Sequence, residues 1–166
     1  MAIIDEVVVK IQDWRGKNIS VQQISGGLTN TNFKVEVDGT PYFVRVPGKS
    51  TELLAVNRNN EYYNSKAAAE ANVGPKVLYH LLEYNVMVLE FLTGKTMSKD
   101  SLNADGMPTR MAKVIKKLPA GPCFFSDFNM FRLTEYYLKI CTDRSIRVPD
   151  GYLERMSTVT RIEKAM

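Results

Sequence analysis

The chain carries only two cysteines, Cys123 and Cys141, and a single histidine, His80. Two thiols imply no disulfide framework, which makes a reducing cytoplasm the simpler setting. Two cysteines and one histidine cannot supply a four-ligand zinc site. His80 is followed by Leu81 and Leu82 in an apolar run. It reads as a structural residue, which removes any Ser-His-Asp set. Long apolar runs are missing too: stretches such as Val86–Leu89 fall far short of the roughly 20 residues that cross a bilayer. The start, Met1-Ala2-Ile3-Ile4-Asp5-Glu6, has no basic region and places acids where a signal peptide is uncharged. No membrane partner is expected.

Apolar residues make up 45% and charged residues 24% of the 166 positions, the balance of an ordinary globular domain, or one and a part. Twenty-two basic residues against 18 acidic give a charge of +4 and a pI near 9.0. The basic residues are scattered, and the densest cluster, Lys113 with Lys116-Lys117, lies on an amphipathic helical stretch. A nucleic-acid binder gathers its excess into a stripe or tail, so no nucleic-acid partner is expected. A nucleotide needs only one or two placed cations, and mild basicity is neutral on that.

Residues 3–14 set Ile3, Ile4, Val7, Val8, Ile11 and Trp14 at steps of three and four, a helical stripe ended by Gly16. Val21–Ile24 is a short β-like run before Ser25-Gly26-Gly27-Leu28-Thr29-Asn30. Phe33, Val35 and Val37 then alternate with polar residues at strand period. Asp38-Gly39 signals a hairpin, and Tyr42–Val46 returns until Pro47-Gly48. A helix is predicted over about Asn57–Ala71, ended by Asn72-Val73-Gly74-Pro75. Two strands follow, Lys76–Leu82 and Asn85–Leu92. Beyond Thr93-Gly94 the β signal stops. Met107, Met111, Val114, Ile115 and Leu118 fit one helix face; Leu133, Tyr137, Ile140 and Cys141 fit a second; Leu153, Met156 and Val159 fit a third. The expected class is α+β, a five-stranded antiparallel sheet with one principal helix, followed by helices only. The expected division falls between 1–92 and 93–166, with a hinge near Glu90–Gly94.

Three features could carry chemistry. The Gly26-Gly27 turn lets backbone N–H groups approach a phosphate without Cβ obstruction, although a plain hairpin would use the same residues. It is not a dinucleotide fingerprint, since a strand follows it rather than a helix. Gly48-Lys49-Ser50 is no Walker loop, because Phe43 stands where the partner glycine is required. Arg45 shares a strand face with Phe43 and either points to solvent or must find an anion. Glu61 lies within the following helix, where a solvated glutamate is the ordinary alternative. Their order is that of a kinase small lobe: glycine turn between strands one and two, cation on strand three, glutamate in the next helix, then two strands. There the cation grips nucleotide phosphates and the glutamate holds the cation.

Ser25-Gly26-Gly27-Leu28-Thr29-Asn30-Thr31-Asn32-Phe33 resembles the phosphate loop of the choline/ethanolamine kinase family. Phe43-Val44-Arg45-Val46-Pro47-Gly48 is similar to its third strand, where the family typically carries arginine in place of the protein-kinase lysine. Asn57-Arg58-Asn59-Asn60-Glu61 with Gly74-Pro75-Lys76 matches its helix and next strand, and Val88–Thr96 is similar to its interlobe hinge. The resemblance covers about residues 20–160 and is strongest over 25–97. It implies that Gly26, Gly27, Leu28, Thr29 and Asn30 fold over the ATP phosphates, with Arg45 in contact and Glu61 as its partner. Phe43 would line the adenine pocket. Backbone groups of Glu90, Phe91 and Leu92 would meet the base edge, unless Glu90 is a structural residue at a strand end.

The family also places an aspartate and magnesium ligands in a His-x-Asp-x-x-x-x-Asn loop, and no such motif occurs in this sequence. No catalytic or metal-ligating residue is therefore assigned within the chain. The expectation is the nucleotide-binding lobe plus the first helices of an incomplete large lobe, with ATP and magnesium as the family's cofactors and choline or a similar small amino alcohol as its substrate. Two alternatives stand beside it. One is a kinase of the same fold acting on an aminoglycoside or another small alcohol; the other is a non-catalytic nucleotide-binding or interaction module. An apolar face left uncovered where a large lobe would pack is expected to promote self-association.

Overall fold

The computed structural model describes residues 3–27, 29–48 and 51–166, with the side chains of Glu52 and Leu53 left aside. The chain divides into two compact units, Met1–Phe125 and Ser126–Met166. The first holds α1 (Ile3–Lys10), β1 (Ile19–Ile24), β2 (Asn30–Val37), β3 (Thr40–Pro47), α2 (Arg58–Glu70), β4 (Val77–Leu81), β5 (Val86–Glu90), α3 (Lys99–Leu102) and α4 (Met107–Ile115). The second holds α5 (Met130–Asp143) and α6 (Met156–Ala165).

The five strands pair antiparallel throughout, in the order β1-β2-β3-β5-β4. Asp38 and Gly39 both have positive φ, +48° and +82°, as the two-residue turn joining β2 and β3 requires. The Asp38 carboxylate accepts from the Asn18 N–H at 3.0 Å, which fastens the turn to the start of β1. With the turn fixed, the register is fixed: Val35 faces Tyr42, Phe33 faces Val44 and Asn32 faces Arg45.

That register sorts the side chains by face. Val35, Val37, Val44, Val46, Val86 and Val88 point to one side, where Ile4, Val7, Ile11 and Trp14 cover them as a single buried cluster. Each fully buried side chain of this kind stabilises by about 1.5–3 kcal/mol. The helical stripe predicted over 3–14 is present but changes form. α1 ends at Lys10, Ile11 is extended, and Gln12–Trp14 make a 3₁₀ turn. A three-residue step still keeps Ile11 and Trp14 on the inner side. Trp14 then seats its ring 5.1 Å from Tyr42 and 6.1 Å from Tyr79.

The opposite face of the sheet carries Asn32 and Lys34 on β2, Phe43 and Arg45 on β3, and Met87 and Leu89 on β5, as their register pairs show. α2 serves this face, contacting β4. It begins at Asn57, whose side chain accepts from the Asn60 N–H at 3.1 Å. It ends with Asn72 in the left-handed region at φ +56°, and the Val73 N–H returns to the Ala68 carbonyl. Asparagine takes that cap, which is its second-best residue after glycine. Phe125 stacks on Tyr63 of α2 at 4.8 Å, and its N–H donates to Asn64 Oδ1.

Within the second unit, Asn129 caps α5 by accepting from the Phe131 and Arg132 N–H groups. Arg132 pairs with Glu135 and reaches Glu163 on α6. Among the described residues no helix is long and apolar enough to cross a membrane.

Candidate functional site

The hairpin register that buries Val44 and Val46 necessarily turns Arg45 to the other face. An arginine there, only 31% exposed, needs a partner, and α2 supplies one: Arg45 Nη1 lies 3.1 Å from Glu61 Oε1. The solvent-facing alternative for Arg45 is therefore not the arrangement adopted, and Glu61 is held rather than solvated.

Glu61 is shared. Its Oε2 accepts from Arg58 Nη1 at 2.6 Å, and its Oε1 also takes a longer bond from Asn30 Nδ2 at 3.4 Å. Arg58 lies one turn earlier on α2, and the three-residue spacing puts both side chains on the same helix face. The group thus has two guanidinium cations and one carboxylate, leaving one positive charge uncompensated within it. Such a cluster attracts an anion.

Gly26 and Gly27 lie between β1 and β2 with φ of +95° and +153°. A Cβ on Gly27 would stand 2.5 Å from the Asn30 carbonyl oxygen and 3.1 Å from Asn32 Nδ2. No side chain fits there. Asn32 Nδ2 donates to the Gly26 carbonyl at 3.0 Å. The Thr29 carbonyl accepts from the Gly48 N–H at 2.9 Å, tying the turn to the end of β3. Thr29, Asn30, Arg45 and Glu61 thus share one hydrogen-bonded network through Arg58. Gly26 and Gly27 lie beside it against Asn32, the register partner of Arg45, and Leu28 lies outside the described residues.

Phe43 sits one face step from Arg45, whose guanidinium carbon is 5.8 Å from its ring centre. Lys34, its register partner on β2, pairs with Glu36 at 3.0 Å and lies 5.4 Å over the Phe91 ring. Glu90 stands at the end of β5 opposite Tyr42. Its N–H donates to the Lys76 carbonyl at 2.9 Å, and its carboxylate accepts from the Lys76 N–H at 3.4 Å. That side chain has a structural task, fastening β5 to the start of β4. Phe91 and Leu92 continue in irregular chain, with Leu92 exposed.

Three residues of this neighbourhood have no role in the sequence reading. Arg58 was visible only as the start of a helical motif, and the signal available was its three-residue spacing from Glu61. Asn32 shares strand parity with Lys34 and pairs with Arg45, a relation that needs the register. Thr51, 8% exposed and 2.7 Å from Arg58 Nη2, gives no periodic signal at all. His80 stacks on Tyr62 of α2 at 4.0 Å, and burial holds its imidazole below the ordinary 6.5. Among the described residues no three His, Cys, Asp or Glu side chains assemble as metal ligands.

A five-stranded antiparallel sheet, a glycine turn after its first strand and a strand-three arginine paired to a helix glutamate define a kinase-like small lobe. The choline/ethanolamine kinase family model matches residues 21–122. The chain belongs to that family. It is similar in structure to a choline/ethanolamine kinase family protein from Mesorhizobium loti, with 28% identity and a TM-score of 0.75 over 99% of this chain and 54% of that one. Choline kinase LicA from Streptococcus pneumoniae shares the fold at 22% identity and a TM-score of 0.76, over 99% of this chain and 57% of LicA. A structure of LicA in complex with AMP shares it at 23% identity and a TM-score of 0.70, over 98% of this chain and 55% of that one. The chain therefore spans about half the length of these solved relatives. No curated protein sequence matches significantly.

Proposed function

We propose that this chain provides the nucleotide-binding part of an ATP-dependent kinase that phosphorylates the hydroxyl of choline or a similar small amino alcohol. The observation that carries the reading is the Arg45–Glu61 pair beside the glycine turn, with its uncompensated positive charge. Arg45 would meet the phosphates, Gly26–Asn30 would cover them, and Phe43 with the Phe91–Leu92 backbone would receive the base. That LicA, which shares the fold, is solved in complex with AMP supports a nucleotide as the ligand.

Phosphoryl transfer is almost wholly positioning and charge neutralisation, and magnesium would supply much of the latter. Among the described residues no three His, Cys, Asp or Glu side chains gather as metal ligands, and the sequence has no His-x-Asp-x-x-x-x-Asn loop to orient the alcohol. We therefore expect residues 1–166 alone to transfer no phosphoryl group. The test joins residues 1–166 to the remaining part of the Mesorhizobium loti relative and offers ATP with choline, ethanolamine or an aminoglycoside. Phosphorylation of choline or ethanolamine is expected. Turnover of the aminoglycoside alone would select the rival kinase. No turnover by a folded, ATP-binding protein would select a non-catalytic module.

A further inference from the structure

Arg58 joins parts of the chain that the sequence keeps apart. Its Nη1 donates to Glu61 Oε2 at 2.6 Å and to Asn30 Oδ1 at 2.7 Å. Its Nη2 donates to Thr51 Oγ1 at 2.7 Å and to the Thr29 carbonyl at 3.3 Å. The side chain is only 13% exposed. Placing a guanidinium so deep is costly unless its donors are used, and here four acceptors from α2, the glycine turn and the segment after β3 use them.

The acceptors it selects bear on anion binding. Successive backbone N–H groups can form an anion-binding concavity, and a carbonyl oxygen turned into it would repel the anion. The Thr29 carbonyl is held by Arg58 and the Gly48 N–H, and the Gly26 carbonyl by Asn32. On α2, Arg58 occupies Glu61 Oε2, so Arg45 pairs through one Nη with Oε1. A free carboxylate would instead tend to take the Arg45 fork in two parallel bonds. One guanidinium thus holds the turn closed and sets how its neighbour is engaged.

We propose that Arg58 is the positioning residue of the phosphate site, clamping the glycine turn to α2 and presenting Arg45 to the polyphosphate chain of a nucleotide. This role rests on the nucleotide reading above. Lysine cannot substitute, since one ammonium cannot reach four acceptors in two directions.

The experiment compares the parent with Arg58→Ala, Arg58→Lys and Thr51→Val. Amide hydrogen exchange of Gly48, whose N–H holds the Thr29 carbonyl, is read without ligand, with β3 and β5 amides as the control for global stability. Tripolyphosphate affinity is read by calorimetry. Both Arg58 variants are expected to speed Gly48 exchange tenfold or more while β3 and β5 keep parent rates. Tripolyphosphate affinity should fall about tenfold, the low end of what one charge-assisted hydrogen bond contributes. Thr51→Val should shift both readouts the same way by less, and it decides the matter if Arg58→Ala fails to fold. Unchanged Gly48 exchange, faster exchange with unchanged affinity, or an Arg58→Lys variant equal to the parent each overturns the proposal. A parent that binds no tripolyphosphate overturns the nucleotide reading, while the ligand-free exchange still decides whether Arg58 clamps the turn.

Discussion

Glu61→Gln is the perturbation that the network magnifies most. Both carboxylate oxygens accept from guanidinium groups, Arg45 at 3.1 Å and Arg58 at 2.6 Å. The amide keeps one acceptor and turns an NH₂ donor toward the other arginine, so one guanidinium faces a donor. The charge of the cluster rises from one uncompensated cation to two. A hydrogen bond to a charged group contributes about 1.5–3 kcal/mol. Arg58 and Glu61 are 13% and 18% exposed, but Arg45 is 31% exposed, and its share is discounted for screening. The expected loss is about 2–3 kcal/mol, a large part of a typical domain stability of about 5–15 kcal/mol. Urea unfolding followed by circular dichroism measures it, with an unchanged slope expected because the fold persists. Raising salt should recover part of the loss by screening the arginine pair, and tripolyphosphate should recover more. A Glu61→Gln stability within about 0.5 kcal/mol of the parent, the range of an ordinary surface change, would show that the carboxylate does not hold the two guanidinium groups.

Three further outcomes follow from the same structure. Trp14 is fully buried, yet its Nε1 meets no acceptor among the described residues; Trp14→Phe removes that donor and should cost about 1 kcal/mol or less, against about 3–5 kcal/mol for Trp14→Ala, both by urea unfolding. Burial lowers the His80 pKa, so the unfolded chain binds the proton first and stability should fall as pH drops below about 6.5 toward the folded value; His80→Phe should flatten that limb of the unfolding profile. Tyr79 donates to Asp13 at 2.7 Å, which pushes its phenol up to about 12. The stability this adds is present below pH 10 and lost as pH rises toward 12; Tyr79→Phe should reduce the alkaline loss and remove one late phenolate from the ultraviolet titration.

Much of the fold was legible because its signals are local. Asp38-Gly39 sets the hairpin, and the alternation of Phe33, Val35 and Val37 sets which face is buried. Arg45 and Glu61 were legible because their order along the chain matches a known lobe. The ends of elements were less so: the apolar stripe of 3–14 does not distinguish a continuous helix from α1 followed by a 3₁₀ turn, since both keep Ile11 and Trp14 inward. α3 is too short to show a period. The clamp was hidden for a different reason. Arg58, Asn32 and Thr51 are polar residues whose value lies in partners 28, 6 and 7 positions away, and neither periodicity nor turn chemistry reports such pairings.

Arg45, held by Glu61, is proposed to meet nucleotide phosphates. Calorimetric titration of ADP into the parent and into Arg45→Ala, both shown folded by circular dichroism, tests it most directly. Losing one charge-assisted phosphate contact should weaken binding about tenfold to a hundredfold. Equal affinity in the two proteins would contradict the account.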